Sequence, residues 1–362
     1  MATDHPIRVE QSRRDVLKFA GVSFAAAAAV GGVGGVGGVS GVRGASAAIA
    51  LPRRAGQPTT APQPAMQGAG FYELTLGDAR VSVVSDGWFS FNPPHPTLAA
   101  NATREQVEGA LKDAFVDPAD VRVQVNCLLI RTPRDTVLID TGTGGAFGAT
   151  NGTLLKNLSN MGVKPTDVTA VIITHLHGDH MLGVLNAEGK PTFANAEHLV
   201  HKDEHDFWAA ETHDFSQSKL PKDMLPGFIA GAKKVIAGAK FTLIEGEKEV
   251  RPGITVVPSP GHTPGHIAIQ VDGGGGGKNV MLYMSDTVHH PAIQFPKPDW
   301  AVMFDANPDL AVASRRRLFD RAAADRVRLS GAHIPFPSVG HIRKQAASVG
   351  KGYDWVPSMW EW

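Results

Sequence analysis

One cysteine in 362 residues, Cys127, excludes an intrachain disulfide and any metal site rich in thiolates. Net charge is also missing. Lys plus Arg number 35 and Asp plus Glu 35, so the formal charge is zero and nothing marks nucleic acid as a partner. Long apolar runs are absent too. The nearest approach, residues 19–42, "FAGVSFAAAAAVGGVGGVGGVSGV", carries glycine so often that it is too weakly apolar for a stable membrane span. What remains is ordinary globular composition, 43% hydrophobic and 19% charged. Any bound metal must be held by nitrogen and oxygen.

The N-terminal stretch is read apart from the rest. Ser12-Arg13-Arg14-Asp15-Val16-Leu17-Lys18 is a twin-arginine sequence, with Val16 where phenylalanine is usual. The Ala/Gly stretch follows, then Ala45-Ser46-Ala47, a small-residue cleavage site. Residues 1–47 are therefore expected to be a twin-arginine export signal, and the mature protein periplasmic or secreted. That route carries folded proteins, which suits a chain that must take up metal before export. Residues 48–70, rich in Pro, Ala and Thr, are expected to be a disordered leader.

From residue 71 the pattern becomes regular. Two alternating runs broken at Gly77-Asp78 predict a hairpin. Thr103 with Gln106 predicts a capped helix, and Asn307-Pro308 opens another that runs to about Asp325. "VQVNCLLIRT", "DTVLIDTG" and "VTAVIITH" read as strands, residues 196–240 as helical, and "VRLSGAH" as the last short strand. No solenoid repeat is present. Helices are too few to cover one large parallel sheet, so the simplest packing is two mixed sheets with helices outside.

The densest chemistry is "VIITHLHGDH", residues 171–180. His175, His177, Asp179 and His180 lie just beyond a buried strand, held by a rigid element yet facing an open edge. His175 and His177 can converge on one ion, and Asp179 and His180 can point to a second. A surface loop that happens to hold histidines explains a lone HxH, but not HxHxDH behind an apolar strand. Further candidates stand at other strand ends: His262 in "PSPGHTPGH", Asp286 in "LYMSD", and His333 in "LSGAHIPFP". Asp286 is placed where a carboxylate can bridge two ions.

With these motifs the chain resembles the metallo-β-lactamase superfamily, and within it the methyl parathion hydrolase and dihydrocoumarin-type lactonase group. Further marks are "VSDGW", "LIDTG", "HDFWAAE", "PAIQF", "GAHIPFP" and "GHIR", spread over residues 71–352. The resemblance implies an α/β (α+β) fold, a four-layer αββα sandwich, for a hydrolase domain over 71–362. It implies that His175, His177 and His262 hold one divalent ion, that Asp179, His180 and His333 hold the other, and that Asp286 bridges them. Imidazole with carboxylate suits zinc, with manganese, iron or cobalt also open. Two such ions can bring the pKa of a shared water toward about 7, giving hydroxide for attack on a carbonyl or phosphoryl centre. A homodimer is implied by the resemblance alone.

His289 departs from the organophosphate enzyme, which carries an apolar residue three positions beyond the bridging Asp, where lactonases carry tyrosine. A titratable group there can orient an ester carbonyl or protonate an alkoxide, so it is a catalytic and substrate-binding candidate beside Asp286 and Asp179. The expected activity is hydrolysis of lactones or aryl esters, with phosphotriesters as alternative. A β-lactamase is disfavoured because its best-known branch uses a cysteine ligand. A glyoxalase-type thioesterase lacks a basic cluster for glutathione, and a non-catalytic metal binder is the non-enzymatic alternative. Trp208 is either an aromatic substrate wall or core. Asp140 either orients a metal-bound histidine or forms a turn. His266 reads as a partner of its turn, His198, His201, His205 and His213 as mostly solvated, and Arg315, Arg316 and Arg317 as a solvated helix face.

Overall fold

A computed structural model describes residues 69–359 and shows two seven-stranded sheets stacked face to face. The first holds β1 (Phe71–Leu76), β2 (Ala79–Ser90), β3 (Arg122–Arg131), β4 (Thr136–Ile139), β5 (Ala170–Ile173), β6 (Glu197–His201) and β7 (Phe241–Ile244), in chain order. β1 to β4 pair antiparallel, and β4 to β7 parallel. The second holds β8 (Lys248–Arg251), β9 (Ile254–Pro258), β10 (Ile267–Asp272), β11 (Val280–Tyr283), β12 (Arg328–Ser330), β13 (Gly340–Lys344) and β14 (Tyr353–Pro357). Only β11 and β12 pair parallel there, so both sheets are mixed.

Both faces of each sheet are covered, which explains why the central strands read as unbroken apolar runs. Side chains alternate along a strand. In β5, Ala170 and Ile172 face the second sheet, while Val171 and Ile173 face the outer helices. In β3, Leu128 and Ile130 point inward, and Cys127 and Leu129 outward. The outer layer on the first sheet includes α2 (Leu154–Asn160), α4 (Lys202–Ala209) and α5 (Leu225–Gly238). On the second sheet, α7 (Pro308–Asp325) buries Leu318, Phe319 and Ala322. The remaining helices are α1 (Arg104–Asp113), α3 (Gly178–Met181) and α6 (Pro291–Gln294). The result is the expected four-layer αββα sandwich.

Local signals act as their chemistry predicts. Gly77 and Asp78 form the two-residue turn between β1 and β2, with Gly77 at φ 57°. Thr103 and Gln106 make a reciprocal capping box on α1, and the Asn307 side chain caps α7 ahead of Pro308. Elsewhere the reading from sequence falls short. The segment read as helical from 196 begins with the strand β6, which lies between two parallel neighbours and buries all of "EHLVH" but Glu197 despite its two histidines. β13 and β14 extend the second sheet beyond the strand taken as its last.

The export signal and most of the leader lie outside the described residues. Gly70 already belongs to the fold, its carbonyl accepting from Ser85 N at 2.8 Å. Among the described residues no helix is long and apolar enough to cross a membrane.

Candidate metal centre

Four loops meet at one edge of the sandwich, where the sheets are tied directly together. Ile267 N donates to Thr174 O at 3.1 Å, and Asn126 N to Ala332 O at 2.9 Å. His175, His177, Asp179 and His180 follow β5; His262 sits in the β9–β10 turn. Asp286 follows β11, and His333 follows β12. The ligand atoms of His175, His177, His262 and Asp286 lie within 4.8 Å of one another, as do those of Asp179, His180 and His333. Asp286 stands between the sets. Its Oδ2 is 3.3 Å from His262 Nε2, 3.2 Å from His333 Nε2 and 3.7 Å from His175 Nε2, and its Oδ1 is 3.1 Å from His180 Nε2.

All seven side chains are buried except Asp179, which is partly open and marks the accessible side. Buried polar atoms normally find partners. His175 Nε2 and His180 Nε2 do not make a hydrogen bond, though both aim into the cluster. Two orphaned imidazole nitrogens converging on carboxylates are a donor set for a divalent cation, and nitrogen with oxygen fits zinc. The residues present fit two such ions.

Three of these imidazoles, His180, His262 and His333, are also oriented from behind. Asp140 sits at φ 61°, a conformation costly for a side-chain-bearing residue, and accepts from Thr174 N (2.8 Å), Thr174 Oγ1 (2.9 Å) and His180 Nδ1 (2.9 Å). Of its two sequence readings, the orienting one describes this geometry. His333 Nδ1 donates to Gln124 O at 2.6 Å, and His262 Nδ1 to Asp305 Oδ1 at 2.9 Å. His266 donates through Nδ1 to Ser259 O at 2.9 Å and accepts from Asp286 N at 3.2 Å, so it braces the turn and the Asp286 backbone together.

Charge follows the same geometry. Burial opposes ionisation of Asp179, yet His180 and His333 hold it down at about 2. Burial would lower His262, but Asp286 and Asp305 raise it to about 9. His180 and His333 are likewise raised against burial by the surrounding carboxylates. His175 and His177 are driven down, first by burial and then by their imidazole neighbours.

His289 joins the cluster: its Nε2 is 3.1 Å from Asp286 Oδ2, its ring stacks on His333 at 5.2 Å, and its Nδ1 is buried without a partner. Burial, only partly offset by Asp286, lowers it to about 4, so the ring is neutral near pH 7. Gln294 Oε1 accepts from His289 N and His290 N and fixes this loop. Half-buried phenyl rings arc over the centre. Phe89 lies 5.9 Å from the His333 ring, then Phe91, Phe304 and Phe228 follow in contact, and Phe228 lies 5.1 Å from His177.

Three readings need correction. Trp208 is completely buried, its Nε1 donating to Glu204 Oε1 at 2.7 Å and its ring 5.8 Å from His177. It backs the ligand loop and is not an open substrate wall. His198 and His201 are buried on β6, not solvated. Arg315 is buried as well, because Asp305 and the carbonyls of Thr287, Pro298 and Trp300 replace its hydration; Arg316 stays near the surface on Asp299. Arg315→Met keeps the stem but strips these partners, and is expected to cost roughly 3–5 kcal/mol of stability, read from the urea midpoint. A loss below about 1 kcal/mol would show that the buried charge is already compensated elsewhere.

Glu204, Asp305 and Gln294 were not anticipated. Glu204 precedes Trp208 by one helical turn, a carboxylate-to-indole pairing that was the available signal; Asp305, in an irregular stretch before a helix, offered none.

The metallo-beta-lactamase superfamily model matches residues 120–333. AidC, solved as a dizinc quorum-quenching lactonase with an N-hexanoyl-L-homoserine product, is 29% identical, with a TM-score of 0.73 over 81% of this chain and 98% of that one. The hydrolase AbOPH of the beta lactamase superfamily is also 29% identical, with a TM-score of 0.73 over 82% and 100%. An N-acyl homoserine lactonase of Bacillus sp is 28% identical over 165 residues, 40% of this chain, which spans 57% of that relative's length. By the family match, the two-sheet architecture and the clustered histidines and aspartates, the chain belongs to the metallo-beta-lactamase superfamily.

Proposed function

We propose that this protein is a dinuclear-metal-dependent hydrolase acting on lactones, with aryl esters as close seconds. In this reading His175, His177 and His262 hold one zinc ion, Asp179, His180 and His333 the other, and Asp286 serves both. Bound ions would polarise the substrate oxygen and lower the pKa of water toward about 7. The observation that carries the reading is the position of Asp286, whose two oxygens reach the imidazoles of both sets. The dizinc lactonase AidC, similar over most of this chain, supports the lactone choice.

The chain's own residues add selectivity. The phenyl arc favours a substrate with an apolar body and turns a small reactive group toward the buried cluster. His289, neutral and beside Asp286, would donate a hydrogen bond to the ester oxygen and to the charge that develops on it. Phosphotriester cleavage in the manner of methyl parathion hydrolases is the second reading, since such esters are also apolar and uncharged. Export by the twin-arginine route belongs to the same proposal, because four separated loops must meet before the ions can bind.

The test is one assay of the zinc-loaded mature protein on dihydrocoumarin, an acyl-homoserine lactone and methyl paraoxon, with His289→Leu alongside. Lactones are expected to give the highest kcat/KM. His289→Leu is expected to lower lactone turnover by about 10²-fold, the lower range for a lost hydrogen-bond donor to developing charge, and phosphotriester turnover less. Equal losses would reject the role of His289. Two bound ions without hydrolysis of any ester would leave a metal-binding protein.

A further inference from the structure

Outside the seven clustered side chains, one buried carboxylate makes four hydrogen bonds, three of them to the two loops of a single ligand set. Glu204, on α4, is fully buried. Its Oε1 accepts from Leu176 N and Trp208 Nε1, both at 2.7 Å. Its Oε2 accepts from Thr263 Oγ1 at 2.5 Å and Gly265 N at 3.0 Å. Leu176 lies between His175 and His177, and Thr263 immediately follows His262. One side chain therefore clamps the two segments that carry all three imidazoles of one set. Backbone packing tightens the clamp. A Cβ on Gly265 would lie 2.0 Å from Glu204 N, so only glycine lets the His262 loop press onto α4.

The other set is braced independently. His180 is held by Asp140 and His333 by Gln124 O, and Glu204 makes no hydrogen bond to any of these. We propose that Glu204 is a positioning residue for the His175–His177–His262 site alone, so that affinity for that ion can be altered without altering the other. The proposal rests on the two-ion reading above.

Glu204→Gln tests it. A glutamine offers one acceptor oxygen and an NH2, so one pair of donors must face another donor. The Thr263 hydroxyl can rotate and accept, but the backbone N–H groups cannot. Zinc titration against a chromophoric chelator should show two tight ions in the unaltered protein. In Glu204→Gln one should remain tight and the other weaken by about 10–100-fold. Anomalous diffraction at the zinc edge should place the retained ion among Asp179, His180 and His333. A purely structural role would lower the unfolding temperature of zinc-free protein without separating the two affinities.

Unchanged affinities, equal weakening of both, or retention of the ion at the His175 set would each overturn the proposal. Should Glu204→Gln not fold, Thr263→Val decides alone. It removes one donor and keeps the carboxylate, and should weaken the same single ion in the same direction; no change would overturn the proposal. Fewer than two zinc ions in the unaltered protein would remove the parent reading and this one with it. Two tight ions in both proteins would remove this one only.

Discussion

Asp286→Ala should abolish hydrolysis more completely than any other single change, with kcat/KM on the best lactone falling by more than about 10³-fold. The reason is that, among the described residues, Asp286 is the one carboxylate within reach of both imidazole sets, so its loss should weaken both proposed ions together. Without the ions, water would keep its ordinary pKa of about 15.7 and no hydroxide would be supplied near pH 7. Asp140→Asn supplies the scale. It keeps every proposed ligand and disturbs the brace behind His180 and Thr174, so a drop of about 10–100-fold is expected. Metal analysis and steady-state kinetics on the two variants would rank them. An Asp286→Ala protein that kept two ions, or more than a tenth of its activity, would show that the sets are not joined through this residue.

How much of this was legible from residues alone follows from where each interaction is encoded. The β5 strand and its HxHxDH end are local in sequence, so the first four candidates could be read directly. His262, Asp286 and His333 could be placed because each closes a strand, and strand ends on one sheet edge meet. The braces were hidden. Glu204 reaches Thr263 across 59 positions and Asp305 reaches His262 across 43, and nothing near either carboxylate announces these distant partners. Arg315 misled for the same reason. It shares a triple-arginine run with Arg316, yet the helix turns one guanidinium into carbonyl groups from three separate residues and leaves the other on the surface. β6 was missed because burial between parallel neighbours, which tolerates its two histidines, is a tertiary property.

Removing the metal should destabilise the protein strongly, and by an amount that grows with pH. In the metal-free fold His180, His262 and His333 have raised pKa values, His262 at about 9. A raised group stabilises fully below its unfolded value of about 6.5, and that stabilisation is lost as pH climbs through the folded value. Below 6.5 the opposite class governs. His175 and His177 are depressed, His266 sits at about 3 and His289 at about 4, so the unfolded chain takes up protons that the fold refuses. The chelated protein should therefore melt highest near pH 6.5 and lower on either side. Zinc removes the alkaline arm, because cations occupy the positions that protons otherwise fill. With free zinc near a thousand times Kd, each ion adds about 4 kcal/mol, and two ions should raise Tm by roughly 10–20 °C. Calorimetry with and without chelator at pH 6.5, 7.5 and 8.5 would read the gap directly. It should widen with pH; a gap that vanished or narrowed toward pH 8.5 would mean that no pair of ions holds these seven side chains together.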